Sequence, residues 1–550
     1  MNTDSIGLIK KEIDTALKVT RDAFASKADK LIEKFATGSA KVGAGTGTWD
    51  YNLAFALVEM MKASLVAQEP SVVTVPLNKD GEIIGPVWER LLNHFFHTLD
   101  MRQKAEEAAD WENVTGLCVA KVGFYSQKEA ALGESGSYRN GNLFVEILDP
   151  RNFFVDPYCT KTDLSDARYC GDVVFLPKAD VMNSPLYDPL MVEKISPNKV
   201  GAKYPEGNAT FPRMNSDLPD EYGLIELREM HLRNRETSQI EVGTFCVNEI
   251  QPLREFAALP PEYRFFNYVP MTFFPIPGRF YGYSILQRIT AVCDMMDNSM
   301  NRIAERWKHS PEKFAGPLTT MAQSAKAAVA SAKMFEFIDT GEIPGNQAFA
   351  NIHGQTIYND ELEYIKILLN FFHWISGMSH LEMGTGSSKT ATETGFIQRA
   401  GDMRSARRMN VMERWVATIA KRMLTILRTS PEEFPLEEIL GEDDVAIWQQ
   451  YEQKQSERER EQQDTDIVVR MSLPINVAAI TRRDKIIELL GRLGNPVLMQ
   501  MMLASGQTIN VAELVKKVIS DSGENADNIV VPVTEEMMAQ MQQGGENAPV

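Results

Sequence analysis

Between Tyr283 and Arg428 the chain carries three long apolar-periodic stretches separated by two breaks, and such a chain folds only if those stretches can lie against one another. In the first, Ile285, Ile289, Val292, Met296, Met300, Ile303 and Trp307 recur at spacings of three and four, one face at 3.6 residues per turn. Asp294, Asp297, Asn298, Asn301, Glu305 and Arg306 take the other positions. The helix therefore needs a partner on one side and polar surroundings on the other.

Helicity stops at His309-Ser310-Pro311, because proline disfavours the helical region for the residue before it. Residues 309–358 read as a small separate lobe, with an Ala-rich helix from Met321 to Met334 and a strand, Phe335 to Ile338, entering a turn at Asp339-Thr340-Gly341. Asn359 or Asp360 then caps a second helix, Glu361 to Met378. Leu362, Ile365, Leu369, Phe372 and Ile375 form one face, while Tyr364, Ile367, Leu368, Phe371 and Trp374 nearly complete the circumference. A helix apolar on most sides is expected to be buried, here against the first helix.

The stretch HLEMGTGSSKTATE, residues 380–393, superficially suggests a phosphate loop. The Walker pattern needs glycines six residues before and immediately before its lysine, where this chain has Met383 and Ser388 ahead of Lys389. The stretch also follows a helix instead of a strand, so it reads as a flexible loop, with Thr390 and Glu393 as a capping box for the next helix. That helix runs from Ala391 to Arg428 on the register Phe396, Ala400, Met403, Met412, Trp415, Ile419, Met423 and Ile426, with Gly401 as a kink site. Arg399, Arg404, Arg407, Arg408, Arg414, Lys421, Arg422 and Arg428 make it a basic island in a chain of net charge -18.

At 550 residues the chain can build about three or four domain-sized units. Its acidic excess argues against a protein that coats nucleic acid, although DNA can still pass close by. Five scattered cysteines without a C-x-x-C pair suggest reduced thiols. No apolar run approaches the ~18 to 20 residues of a membrane span and no signal-peptide core is present, so no membrane insertion and assembly in the cytoplasm are expected.

Upstream, residues 6–36 form an amphipathic helix, Lys41 to Thr48 a Gly-rich linker, Tyr51 to Gln68 a second helix, Val72 to Val75 a strand, and Pro86 to Glu112 a third helix. His94, His97 and Asp100 on that helix drift around it without a zinc-protease glutamate pattern, and no metal is expected there. Strand-period segments follow at Leu117 to Tyr125, Leu143 to Leu148, Tyr169 to Leu176, Leu224 to Leu232 and Ile240 to Val247, spaced as in an antiparallel sheet. Residues 183–220 read as a long surface loop. Val445 to Gln450 and Ser472 to Val477 are expected to return a strand to the sheet, around the polar run Gln453 to Gln463. Helices at Arg482 to Arg492, Pro496 to Ala504 and Val511 to Ser520 precede a mobile tail. The fold class is α+β, mainly helical.

Three strings, in order, carry a resemblance: LDPRNFFVDPYCTKTDLSDAR (148–168), NYVPMTFFPIPGRFYGYSILQ (267–287) and KTATETGFIQRAGDMR (389–404). They resemble, respectively, the segment joining two wing strands, the lead-in to the first stem helix, and the tunnel loop entering the long kinked helix of the portal (head-to-tail connector) proteins of tailed bacteriophages. The resemblance covers most of residues 50–520. It implies a wing over 1–282, stem helices at 283–308 and 359–378, a clip at 309–358, a tunnel loop at 379–391, a kinked helix at 392–430, a wing return at 431–480, crown helices at 481–520 and a tail at 521–550. It further implies a dodecameric ring at one capsid vertex of the virion, assembled in the host cytoplasm. Double-stranded DNA would pass through the channel, and the partners would be the terminase large subunit, a head-completion or tail adaptor, and capsid and scaffolding proteins.

No cofactor, metal or catalytic residue is implied. Thr385, Ser387, Ser388, Lys389 and Thr390 would line the channel. Arg399, Arg404, Arg407 and Arg408 would reach phosphates or form intersubunit ion pairs, the second being the better fit to a mostly buried helix. A channel in which DNA slides cannot hold many phosphates tightly, since each neutralised phosphate adds salt-dependent affinity. The competing classes are a non-channel helical scaffold or adaptor, which ring stoichiometry separates, and a cytosolic enzyme with a dispersed site, which turnover separates. Lys389→Ala is expected to leave ring assembly intact while altering DNA packaging or genome retention in an assembly assay; loss of assembly instead would sink the loop assignment.

Overall fold

The computed structural model describes residues 3–37, 52–66, 69–124, 143–184, 187, 189–195, 223–234, 237–246, 251–309, 313–315, 350–352, 359–377, 391–431, 434–456 and 465–470. The chain divides into a unit of Met1–Leu65 with Pro70–Arg470 and a second of Val66–Glu69 with Met471–Val550. The expected linker at 41–48, the interior of the 309–358 lobe, the strand at 472–477, the helices at 482–520 and the tail lie outside the described residues.

The N-terminal helix is α1 (Thr3–Thr20) and α2 (Ser26–Thr37) joined by a π-helical turn, Arg21–Ala25. After α3 (Leu53–Leu65) and β1 (Ser71–Pro76), the single helix expected over 86–112 is two, α4 (Lys79–Thr98) and α5 (Met101–Thr115). Asn78 caps α4 by accepting from the Gly81 N–H at 2.7 Å, so Pro86 lies inside the helix and does not start it. Asp100, in the left-handed region at φ 48°, ends the run and caps α5 by accepting from the Gln103 N–H. Asp with Gln three residues later is the capping signal that marked this break. It also accounts for Asp100, while the His94 ring lies against Thr98. Among the described residues no group of three His, Cys, Asp or Glu side chains could hold a metal ion.

The antiparallel region is two sheets, not one. The smaller has the order β3-β2-β9, from β2 (Cys118–Phe124), β3 (Leu143–Leu148) and β9 (Tyr268–Met271). The larger has the order β4-β5-β6-β7-β8, from β4 (Phe153–Val155), β5 (Tyr169–Pro177), β6 (Leu224–Arg233), β7 (Ile240–Cys246) and β8 (Pro252–Ala258). Short α6 (Lys178–Asn183) and α7 (Pro189–Lys194) occupy part of the expected surface loop. Helix α1 buries Ile13 and Ala16 with Phe154, Tyr169, Met230 and Phe245 of the larger sheet, while Phe153 and Tyr268 meet in the core shared by the sheets.

Helix α8 (Ile285–His309) is followed by the antiparallel pair β10 (Lys313–Ala315) and β11 (Ala350–Ile352), which closes the base of the insert, and then by α9 (Asn359–Ser376). Helix α10 (Ala391–Thr429) is one uninterrupted helix across Gly401. Met412, Trp415, Ile419, Met423 and Ile426 are buried as the periodicity predicts. Beyond α11 (Leu436–Leu440), residues 445–450 are helical within α12 (Glu442–Ser456), against the expected strand. Three acids at 442–444 favour a helix N-terminus, and Trp448 and Tyr451 make edge contacts with Trp88 of α4. The returning strand is β12 (Thr465–Arg470), and it pairs antiparallel with β1 in a two-stranded sheet of its own, not with the larger sheet. On the α4 side, Asn93 bonds both the N–H and the carbonyl of Val72, and Glu89 accepts from the Thr74 N–H.

A buried charge network joins the sheets. Lys121 of β2 reaches Asp172 of β5 and Glu229 of β6, each at 3.1 Å. Tyr268 of β9 donates to Asp172 at 2.6 Å, and the His231 ring contacts Glu229 at 2.9 Å. Burial opposes every charge here, but the two carboxylates outweigh it at Lys121 and hold its pKa above the usual lysine range. Burial likewise opposes ionisation of Glu229, yet Lys121 and His231 hold its carboxyl well below the usual range. Lys121→Ala strips two buried carboxylates of their common cation and is expected to cost about 3–5 kcal/mol in urea unfolding. A loss below about 1 kcal/mol would show that the sheets are held by their apolar contacts alone.

Candidate subunit-contact helices

Ser284 caps the start of helix α8, its Oγ accepting from the Gln287 N–H at 2.9 Å. Its floor is Gly116, the C-cap of α5 at φ 87°, where a side-chain Cβ would come within 2.6 Å of the Ser284 nitrogen. Only glycine permits both the left-handed turn and that approach. Ile285, Leu286, Ile289 and Cys293 pack on Leu57, Val58 and Met61 of α3, with Phe372 of α9 in the same cluster. The buried face contains the predicted stripe and is wider: Ile285, Ile289 and Met296 are buried and Val292 packs on the cluster, while Leu286, Cys293 and Asp297 extend it to one side. Lys34 of α2 adds an ion pair to Asp294 and a bond to the Thr290 carbonyl.

Helix α9 is expected to be buried on most sides, and among the described residues it is not. Leu368, Phe372 and His373 are buried, while Tyr364, Ile367, Phe371 and Trp374 are 46, 50, 49 and 72% exposed. At about 100° per residue those four fall within an arc of roughly 80°. They form a single apolar stripe that nothing among the described residues covers. Isolated exposed apolar side chains are ordinary, but a contiguous stripe of four large ones marks a contact surface.

The C-terminus of α9 is fixed from α10. Gly377, at φ 75°, ends the helix with its N–H on the His373 carbonyl, and Arg404 donates to the Trp374 carbonyl at 3.1 Å. A cation at this end also complements the helix dipole. A Cβ on Gly377 would meet the Arg404 side chain at 2.7 Å. Arg404 thereby sets the end of the exposed stripe, a role its place in a basic helix did not signal.

The remaining sequence-singled arginines separate. Arg407 is exposed, Arg408 is buried with Nη2 on Ser405 Oγ, and Arg399 lies on α10 in a stretch of which only the helical backbone is described. Thr385, Ser387, Ser388, Lys389 and Thr390 lie outside the described residues. Arg422 is buried, donating to the Tyr268 carbonyl and covering the Phe265 ring, and burial lowers its pKa to about 10. Arg428 pairs with Glu452 at 2.9 Å and lies over Trp88. Much of the basic island therefore ties α10 to its own chain.

Buried Glu112 was not picked out by any sequence pattern. One oxygen accepts from the Phe273 N–H at 2.7 Å, and the other has no hydrogen-bond partner among the described residues. Burial raises its pKa to about 8, against the pull of the Phe273 N–H and the Arg408 charge. The folded chain thus keeps a proton that the unfolded chain, with a carboxyl near 4.5, releases.

No protein-family profile matches the chain, and no curated protein matches it either. Among the described residues no helix is long and apolar enough to cross a membrane.

The Glu112 contribution is fully present below the unfolded pKa and is lost as pH rises toward about 8, at up to about 1.4 kcal/mol per pH unit inside that window. Glu112→Gln removes this slope. Its melting temperature relative to the parent is expected to climb between pH 5 and pH 8.5 in thermal-shift measurements; an offset constant with pH would contradict the assignment.

Proposed function

We propose that this chain is a ring-forming portal subunit of a tailed bacteriophage, the channel through which double-stranded DNA enters and leaves a capsid. The observation that carries the reading is the uncovered stripe Tyr364, Ile367, Phe371 and Trp374 on a helix packed against α8. Repeating that surface around a ring would cover it, because each subunit presents the stripe to a neighbour through a heterologous contact that closes. The order helix, insert closed by an antiparallel pair, helix, and 39-residue helix also supports it.

In this reading α8 and α9 are the stem, the insert between them is the clip, residues 379–391 are the tunnel loop, and the two sheets belong to the wing. Lys389 and its neighbours would face the DNA, and Arg407, exposed on α10, would meet a neighbouring subunit or a phosphate. The work is mechanical coupling, with nucleotide hydrolysis in a terminase partner and a tail adaptor replacing it after packaging. Twelve subunits are the stoichiometry the resemblance implies.

Negative-stain electron microscopy and mass photometry of the purified chain test this directly. Rings of about twelve subunits with a central channel are the expected outcome, and Ile367→Asp with Phe371→Asp is expected to shift the population to monomers without lowering the monomer's helix content. A parent protein that remains monomeric at all concentrations and with scaffolding protein present would overturn the reading.

A further inference from the structure

Away from the α9 stripe, a cleft of about 530 Å³ opens between the π-helical turn, the loop after β4 and the segment leading into α8. Its volume falls in the range of sites that enclose a small molecule or a few side chains. Phe24, Ala28, Val155 and Phe280 give it an apolar floor. The π-turn builds part of that floor: Phe24 stacks on Tyr281 with ring centroids 5.0 Å apart, and Thr20 Oγ1 lies 2.8 Å from the Tyr281 hydroxyl. Such turns inside α-helices are frequent at functional sites.

The polar equipment of the cleft is one-sided. Asp156 is its one lining carboxylate among the described residues, and it is committed to Arg168, which donates to it at 2.6 and 3.0 Å. Lys27 and Arg279 line the same cleft, both exposed, and neither makes an ion pair among the described residues. Beside them stands Tyr158, 80% exposed, its backbone N–H on Asp156 and its ring 5.6 Å from the Arg168 guanidinium. A solvent-facing tyrosine next to uncommitted cations has the composition of a binding hot spot.

We propose that this cleft docks an acidic peptide segment of a partner protein, inserting one aromatic or large aliphatic side chain over Phe24 and Phe280 and placing carboxylates on Lys27 and Arg279. The class of partner follows from charge. Against the chain's overall -18, the cleft itself presents two uncommitted cations around an apolar floor, with its lining carboxylate already paired to Arg168, which favours carboxylates locally. A basic segment would meet those two cations and find Asp156 already taken.

The test is peptide display against the full-length protein with a random dodecapeptide library, followed by fluorescence anisotropy of the selected peptides. Selected sequences are expected to combine two or more carboxylates with an aromatic or Leu anchor. Lys27→Ala with Arg279→Ala is expected to weaken them about tenfold or more, and raised salt to weaken them as well. Ala23→Trp, at an exposed position lining the cleft, is expected to block them by filling it, with circular dichroism unchanged in both variants. Absence of enriched peptides, enrichment of basic ones, or binding indifferent to both variants would each overturn the proposal.

Discussion

Lys121 sits where the two sheets and the long helix converge, and its two ion pairs are the joint on which the rest of the structure depends. Its carboxylate partners come from adjacent strands of the larger sheet, so one cation spans the gap between layers that share no backbone hydrogen bond. Buried charges are costly unless every lone pair is used, and here Tyr268 and His231 use two more. Tyr268 extends the joint outward: its carbonyl accepts from Arg422, and the next carbonyl, of Val269, accepts from the Trp415 indole at 2.9 Å. Helix α10 is thus registered on β9, the strand that leads into α8.

That registration has consequences far along the chain. Because α10 is fixed on β9, its N-terminal half carries Arg404 to the end of α9. Because β9 leads to Ser284 and the Gly116 floor, the start of α8 is fixed as well. The two helices are held at these ends and, among the described residues, left uncovered along the α9 stripe. Anchorage at both ends with one exposed apolar face is what the assembly proposed above would use, since the rest of the fold need not adjust.

The arginines of α10 illustrate how charge in a sequence divides between internal and external use. Arg404 caps a neighbouring helix, Arg422 anchors a strand carbonyl, and Arg428 pairs with Glu452 while covering Trp88. Guanidinium groups suit such places because they bond in a planar fork and stack on rings while staying charged. A count of basic residues along a helix cannot separate these roles, since each depends on which element lies opposite.

What the sequence by itself determined is what local spacing controls. The 3.6-residue stripes placed α8, α9 and α10, and the alternating segments placed β2, β3, β5, β6 and β7, because those periods decide which side chains can share a face. The Thr98-Leu99-Asp100 break and the acidic start at 442–444 were legible too, in capping and dipole chemistry, but they were outweighed by apolar periodicity running through them. Only the tertiary structure decided that the strands divide into two sheets, that β12 pairs with β1, and that Cys293 and Asp297 join the predicted stripe in the core. Those choices rest on pairings between residues tens to hundreds of positions apart. The same holds for Glu112, whose carboxyl differs from an exposed helical glutamate through the burial, the Phe273 N–H and the Arg408 charge that distant segments impose on it.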